Sequence, residues 1–221
     1  MEGRTIYFIS GLGADERAFD RLDDFDGWEK VFLKWIPNES GEDIAHYAKR
    51  LLGNHHVKST DVIIGLSFGG LLALGIAKRN HVKSVILISS LRSVKDLKPL
   101  WRFMLMTRSY HFIPSFKIAF ISKMIRNWFN VRSNQGIKTL EAMVKDSDPK
   151  LVKWSIEQIR RAKHNDYSEV QIFNVIGSKD RLINQWESNN THQIERGGHF
   201  MVYEKAKQVN AILRKIIHSM D

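Results

Sequence analysis

Asp61-Val62-Ile63-Ile64-Gly65-Leu66-Ser67-Phe68-Gly69-Gly70 reads as a buried strand running straight into a sharp turn. Val62, Ile63 and Ile64 are β-branched and, with Leu66, form the short apolar run expected of a parallel strand covered on both faces. Gly65-Leu66-Ser67-Phe68-Gly69 then has the G-x-S-x-G spacing, followed by Gly70 and a helical run from Leu71 to Ala77. The spacing has a mechanical cause. A strand-to-helix turn this tight strains its central residue and leaves no room for side chains two positions before and after it. Ser67 is thereby pushed out at the carboxyl end of the sheet, above a helix N-terminus that favours developing negative charge. The bland alternative is a serine placed in a glycine-rich turn for close contact only.

Working outward, strand and helix alternate. Thr5–Ser10 is a strand, Gly11-Leu12-Gly13-Ala14 a tight loop, and Asp15 to Leu22 a short helix. Strand followed by G-x-G invites a dinucleotide reading, but the third glycine of that fingerprint falls at Glu16, whose carboxylate would face the pyrophosphate. Val31–Trp35 is a second strand, ended by Pro37, and Ser40 with Asp43 resembles a capping box for a helix burying Ile44, Ala48, Leu51 and Leu52. Val82–Ser89 is a fourth strand. Strands resume at Val170–Ile176 and Thr191–Ile194, and Tyr203–Ser219 is a closing amphipathic helix. This alternation predicts an α/β fold with a mostly parallel six-stranded sheet and right-handed crossovers.

Between them, residues 92–168 carry no strand pattern. Trp101, Phe103, Tyr110, Phe112, Phe116, Phe120, Trp128 and Phe129 crowd there, with Pro114 and Gly136 as dividers and Asp148-Pro149 opening another helix. Three or four helices lying over the carboxyl edge of the sheet are expected. The domain plan is therefore a core of 1–91 and 169–221 interrupted by a helical cap, 92–168.

Lys and Arg outnumber Asp and Glu by 34 to 24, and 92–168 alone holds 16 basic and 6 acidic residues, so the remainder is balanced. That segment is a candidate for meeting something anionic: a substrate or, peripherally, a membrane surface. A nucleic-acid role draws on the same basic, aromatic-rich composition, but a solvated helical face with its apolar sides on the sheet is the stronger reading. With no cysteine, disulfides, thiolate catalysis and cysteine-ligated zinc are excluded. Adjacent His55 and His56 have no accompanying carboxylate pattern, so no metal site is expected. No signal pattern opens the chain and no stretch of 18 apolar residues exists, which makes a cytoplasmic location the default expectation.

A serine hydroxyl needs a base to remove its proton, and imidazole suits that at neutral pH; the base in turn needs a carboxylate to fix its tautomer. Asp180 stands four residues past a strand in a Gly-x-x-Asp turn. His199 stands just past the last strand, where Gly197 and Gly198 leave room for its ring. The chain order Ser67, Asp180, His199 is the one the serine turn predicts. Asp96 and Asp166 are weaker acid candidates, since neither lies in so clear a strand-end turn.

At these motifs the chain resembles the α/β-hydrolase superfamily. The elbow GLSFGG, the loop ISGLGADER after the first strand, the turn GSKDRLI and the terminal GGHFMVYEK all match, and 92–168 occupies the place of the family's cap. The resemblance implies Ser67 as nucleophile, Asp180 as acid, His199 as base, and an oxyanion hole from the backbone N–H groups of Leu12 and Phe68. Two departures stand out. Ser10-Gly11 replaces the usual His-Gly before the oxyanion residue, and the chain starts directly at the strand that an antiparallel pair normally precedes. Serine rather than aspartate at the elbow argues against dehalogenase or epoxide hydrolase chemistry. The expectation is a hydrolase of esters or thioesters of a small-molecule acyl substrate, without cofactor. Acyl transfer, carbon–carbon cleavage or a non-catalytic receptor on the same residues are the alternatives.

Overall fold

The computed structural model describes residues 3–108, 125–186 and 188–220. Its centre is a sheet of β1 (Arg4–Ile9), β2 (Trp28–Phe32), β3 (Val62–Leu66), β4 (Ser84–Ile88), β5 (Gln171–Gly177) and β6 (Thr191–Ile194), in spatial order β2-β1-β3-β4-β5-β6. Every pairing is parallel. The apolar run of the serine stretch lies in the middle of this sheet, between β1 and β4, and Ile63 and Ile64 are wholly buried. Full burial of each such side chain is worth about 1.5–3 kcal/mol.

Alternate side chains of each strand feed two separate cores. Ile6, Phe8, Ile64 and Ile86 face α7 (Ala206–His218), whereas Tyr7, Ile9, Ile63 and Leu87 face α1 (Ile44–Leu52) and α2 (Phe68–Asn80). Residues 92–168 are helical where they are regular. They comprise α3 (Pro99–Met106), a helical stretch over 125–129, α4 (Asn134–Asp146) and α5 (Pro149–Arg161), with a short 3-10 turn at Val94–Asp96. Leu140 and Met143 of α4 join the first core, and Leu151 and Trp154 of α5 pack against the second, so the two helices straddle the sheet. Pro114, Tyr110, Phe112, Phe116 and Phe120 lie outside the described residues.

Five local expectations shift. β2 begins three residues before the apolar run suggests, because Trp28 rather than Val31 opens the ladder opposite Arg4. Trp35, expected in that strand, leaves the ladder to serve the site. Helix α1 is capped by Asp43, whose carboxylate accepts from His46 N at 2.8 Å, and Ser40 takes no part in that cap. Gly136 does not divide the segment but sits in the first turn of α4, where a methyl group would strike Glu204 Oε1. The closing helix breaks at Lys205 into α6 (Met201–Glu204) and α7.

Close approach explains the glycines at the last two strand ends. A Cβ on Gly177 would overlap the Gly197 carbonyl, and one on Gly198 would come within 2.6 Å of Phe129 O. These glycines admit neighbouring backbone, rather than making room for the histidine ring. Gly177→Ala is accordingly expected to destabilise the protein by about 1–3 kcal/mol, the range for overpacking. Thermal unfolding of the variant checks this; an unchanged Tm would contradict the close approach.

Candidate active site

Ser67 stands at the break between β3 and α2 with φ 51° and ψ −119°, a left-handed conformation that a non-glycine residue adopts only under constraint. The constraint is visible on all sides. A Cβ on Gly65 would overlap Gly70, one on Gly69 would overlap the Ile9 and Ser10 carbonyls, and one on Gly70 would overlap Ser90. The backbone of Ser67 is pinned as well: its N–H donates to Ile88 O at 3.0 Å, and its carbonyl accepts from Ser90 Oγ at 2.6 Å and Gly70 N at 3.0 Å. Although Ser67 occupies the N-cap of α2, its hydroxyl makes no capping bond. It lies instead 2.9 Å from His199 Nε2. A serine placed only for helix capping or close contact would have no such partner.

His199 Nδ1 is 2.9 Å from Asp180 Oδ2. The other oxygen of Asp180 accepts from Leu182 N at 2.9 Å and Ile183 N at 3.0 Å, so the carboxylate is fixed by the turn that carries it. Burial pushes the Asp180 carboxyl upward, but His199 and the Ile183 and Leu182 amides outweigh it and hold it below its ordinary value. An ionised carboxylate only accepts hydrogen bonds, so the proton between the two belongs to Nδ1, which in a neutral imidazole leaves the Nε2 lone pair facing the Ser67 hydroxyl. Two turns must meet for this. They are stitched by Ser178 N to Ile194 O at 3.0 Å, Lys179 N to Gly197 O at 2.8 Å and Arg196 N to Ser178 Oγ at 2.8 Å. The Phe129 ring, 4.9 Å from the imidazole centroid, closes its outer side.

The alternative acids are engaged elsewhere. Asp96 accepts from Arg92 N at 2.8 Å and pairs with its guanidinium, while Asp166 receives Ser168 N at 2.9 Å. Among the described residues, Glu39, Glu42 and His46 come close enough to share an ion, but Arg50 already bonds both carboxylates. His55 rests edge-on against Tyr7.

The loop bearing Leu12 runs directly over the serine: a methyl group on Gly11 would come within 3.2 Å of Ser67 Cβ and 3.8 Å of its Oγ. Neither Leu12 N nor Phe68 N enters any turn, loop or cap hydrogen bond among the described residues. The sequence did not reveal what holds this loop. Ser10 Oγ donates to Ala14 O at 2.9 Å, and the Trp35 indole N–H lies 2.7 Å from both Ser10 Oγ and Ala14 O. The same indole ring stacks on Phe68, with centroids 5.8 Å apart and planes at 13°. One residue thus ties together the segments that carry both N–H groups, and Ser10 supplies a hydroxyl where a histidine was expected. A tryptophan ending an apolar run gives no sequence signal of that role.

Trp35→Phe keeps the ring and removes the N–H. If Leu12 N serves the reaction, kcat is expected to fall about 10- to 100-fold with little change in KM, since displacement near 1 Å costs about 100-fold. Steady-state kinetics on an activated ester checks it; equal kcat values would separate Trp35 from the site.

A cavity of about 320 Å³ adjoins Leu12, between Trp35 and Ile36 on one side and Met143, Leu151 and Val152 of α4 and α5 on the other. Among the described residues, no helix is long and apolar enough to cross a membrane.

No curated protein matches the chain in sequence. In fold it is similar to a thermophilic esterase from Thermogutta terrifontis, at 16% identity and a TM-score of 0.72 over 99% of this chain and 90% of that one. It is also similar to a lipase-esterase related protein from Clostridium acetobutylicum, at 16% identity and TM-score 0.69 over 96% and 94% of the chains. A meta-cleavage product hydrolase from Pseudomonas fluorescens IP01 aligns at 14% identity and TM-score 0.69 over 100% and 92%. Identities this low speak to the fold alone. The family described as an alpha/beta hydrolase of unknown function matches residues 36–221, and the chain belongs to that alpha/beta hydrolase family.

Proposed function

We propose that the protein is a serine hydrolase that cleaves an ester or thioester through an acyl-enzyme. The observation that carries this reading is His199 bridging Ser67 Oγ and Asp180 Oδ2, at 2.9 Å on each side. Ser67 Oγ attacks the acyl carbonyl while its proton passes to His199 Nε2, and Asp180 stabilises the imidazolium. The oxyanion is held by the N–H groups of Leu12 and Phe68, each such donor being worth about 10²–10³ in rate. His199 returns the proton to the leaving oxygen or sulfur as the carbonyl–heteroatom bond breaks. Water, deprotonated by His199, then attacks the acyl-enzyme, and the proton goes back to Ser67 as the acid product leaves.

Residues 92–168 act in this reading as a cap. Support comes from Phe129 against His199, from the cavity wall formed by Met143, Leu151 and Val152, and from Trp154, whose indole N–H donates to Glu42 O at 2.9 Å and anchors α5 to the core. A fluorophosphonate probe is expected to label Ser67, read by peptide mass spectrometry. Labelling elsewhere, or none, would refute the reading.

A further inference from the structure

Three segments distant in sequence bring Arg132, Lys179, Arg181, Arg196 and Lys205 to one groove of about 880 Å³ at the carboxyl ends of β5 and β6. The single carboxylate among its described lining residues, Glu204, is already committed. It accepts from Arg132 N and Ser133 N at 3.1 Å each, and from the Ser133 hydroxyl, which closes the start of α4. The guanidinium groups meet mainly neutral oxygens. Arg181 donates to the Asn127 carbonyl and side chain, and Arg132 donates to Asn130 Oδ1 at 3.3 Å. Among the described residues the Arg196 guanidinium pairs with Glu195 alone, at 4.0 Å, with both side chains more than four-fifths exposed. Lys179 and Lys205 form no ion pair among the described residues. Among the described lining residues five cations face one carboxylate that is already bonded, and a multiply charged anion relieves their mutual repulsion.

The place of the groove in the reaction follows from proton chemistry. A histidine that protonates a leaving group must have that group on its own side of the scissile bond. The groove is lined by Gly198, immediately before His199, and by the residues on either side of Asp180. The cavity beside Leu12 has no such excess of positive charge: Asp15 and Asp146 at its rim pair with Arg17, and Glu16 pairs with Lys34. Resting on the hydrolase reading above, we infer that the groove holds the phosphate-bearing leaving group of the substrate, while the acyl part lies toward Leu12. From the end of β3, which carries Ser67, the groove is two to three strands away, about 9–15 Å at the spacing of neighbouring strands. The leaving group is therefore long, with its phosphates well beyond the bond that breaks. Guanidinium forks fit phosphate oxygens in pairs. No aromatic side chain is among the described lining residues, which disfavours stacked bases of a nucleic acid, and the concave shape suits a compact phosphate cluster better than a flat bilayer.

Calorimetry with inorganic pyrophosphate tests the groove without any turnover. Wild type is expected to bind it, and Lys179→Ala/Arg196→Ala to bind at least about tenfold more weakly, the size of one lost charge-assisted bond. Absent binding, or equal binding by both proteins, overturns the site. Kinetics with butyryl-coenzyme A and with a neutral butyryl ester then test the leaving-group assignment. Pyrophosphate and added salt are expected to raise KM for the thioester far more than for the neutral ester, and the double variant to lose the difference. Pyrophosphate binding without competition against the thioester, or parallel salt profiles for the two substrates, overturns the assignment. Groove-dependent binding to phosphatidylserine vesicles or RNA that pyrophosphate cannot displace would overturn it in favour of those partners. If Ser67 takes no phosphonate and neither substrate turns over, the hydrolase reading fails, whatever calorimetry says of the groove.

Discussion

Ser67→Ala is expected to lower turnover by about 10⁴- to 10⁶-fold while leaving the fold intact. The size follows from what the hydroxyl does. In the proposed reaction it is the atom that bonds to the acyl carbon. The fold should survive because Ser67 is held by its backbone: Ile88, Ser90 and Gly70 all bond its main-chain groups, and none touches the hydroxyl. Alanine also accepts a smaller steric load in the left-handed turn than any larger residue would. The variant should therefore unfold at a temperature close to that of wild type. Retained turnover in a correctly folded Ser67→Ala protein would show that the hydrogen bond to His199 is structural.

Asp180→Asn is expected to cost about 10⁴-fold, because the asparagine amide donates where the carboxylate accepted and turns the imidazole to the wrong tautomer. Asp96→Asn and Asp166→Asn should change kcat little, as their carboxylates serve Arg92 and Ser168. A second readout follows from linkage. The folded Asp180 carboxyl lies below its ordinary value of 3.8, so its ionised form stabilises the fold. That stabilisation is fully present above pH 4 and is lost as pH falls through the lower folded value, where the unfolded chain has already taken up the proton. Acid unfolding curves should thus show a smaller pH dependence below pH 4 for Asp180→Asn than for wild type. Identical curves would mean that burial, which raises the carboxyl, balances the partners that lower it.

Much of the protein is legible in the amino-acid sequence. Runs such as Val62–Leu66 state their own burial, since a strand with no polar face can only sit inside a sheet covered on both sides. The elbow glycines state a steric fact about a turn, and that fact does not depend on what lies beyond it. Asp180 and His199 were legible for a related reason: both sit at strand ends, and parallel strands place all such ends on one edge.

Other features needed three dimensions. Trp35 looked like the last residue of a strand, but an indole N–H needs a partner, and Ser10 and Ala14 lie where only the β1–β2 pairing brings them. Gly197 and Gly198 were read as room for a ring, whereas Gly177 and Phe129 are what they admit, each from a different part of the chain. The same holds for charge. Composition placed the excess of lysine and arginine in 92–168, yet four of the five groove cations come from outside that segment. A sequence shows charge only as density along the chain, while a ligand meets it as density in space. Local sterics and burial therefore decided the strands, the turn and the strand ends that carry Asp180 and His199. Only the fold, by closing loops over long separations, decided which neutral-looking residues hold them and where the positive field gathers.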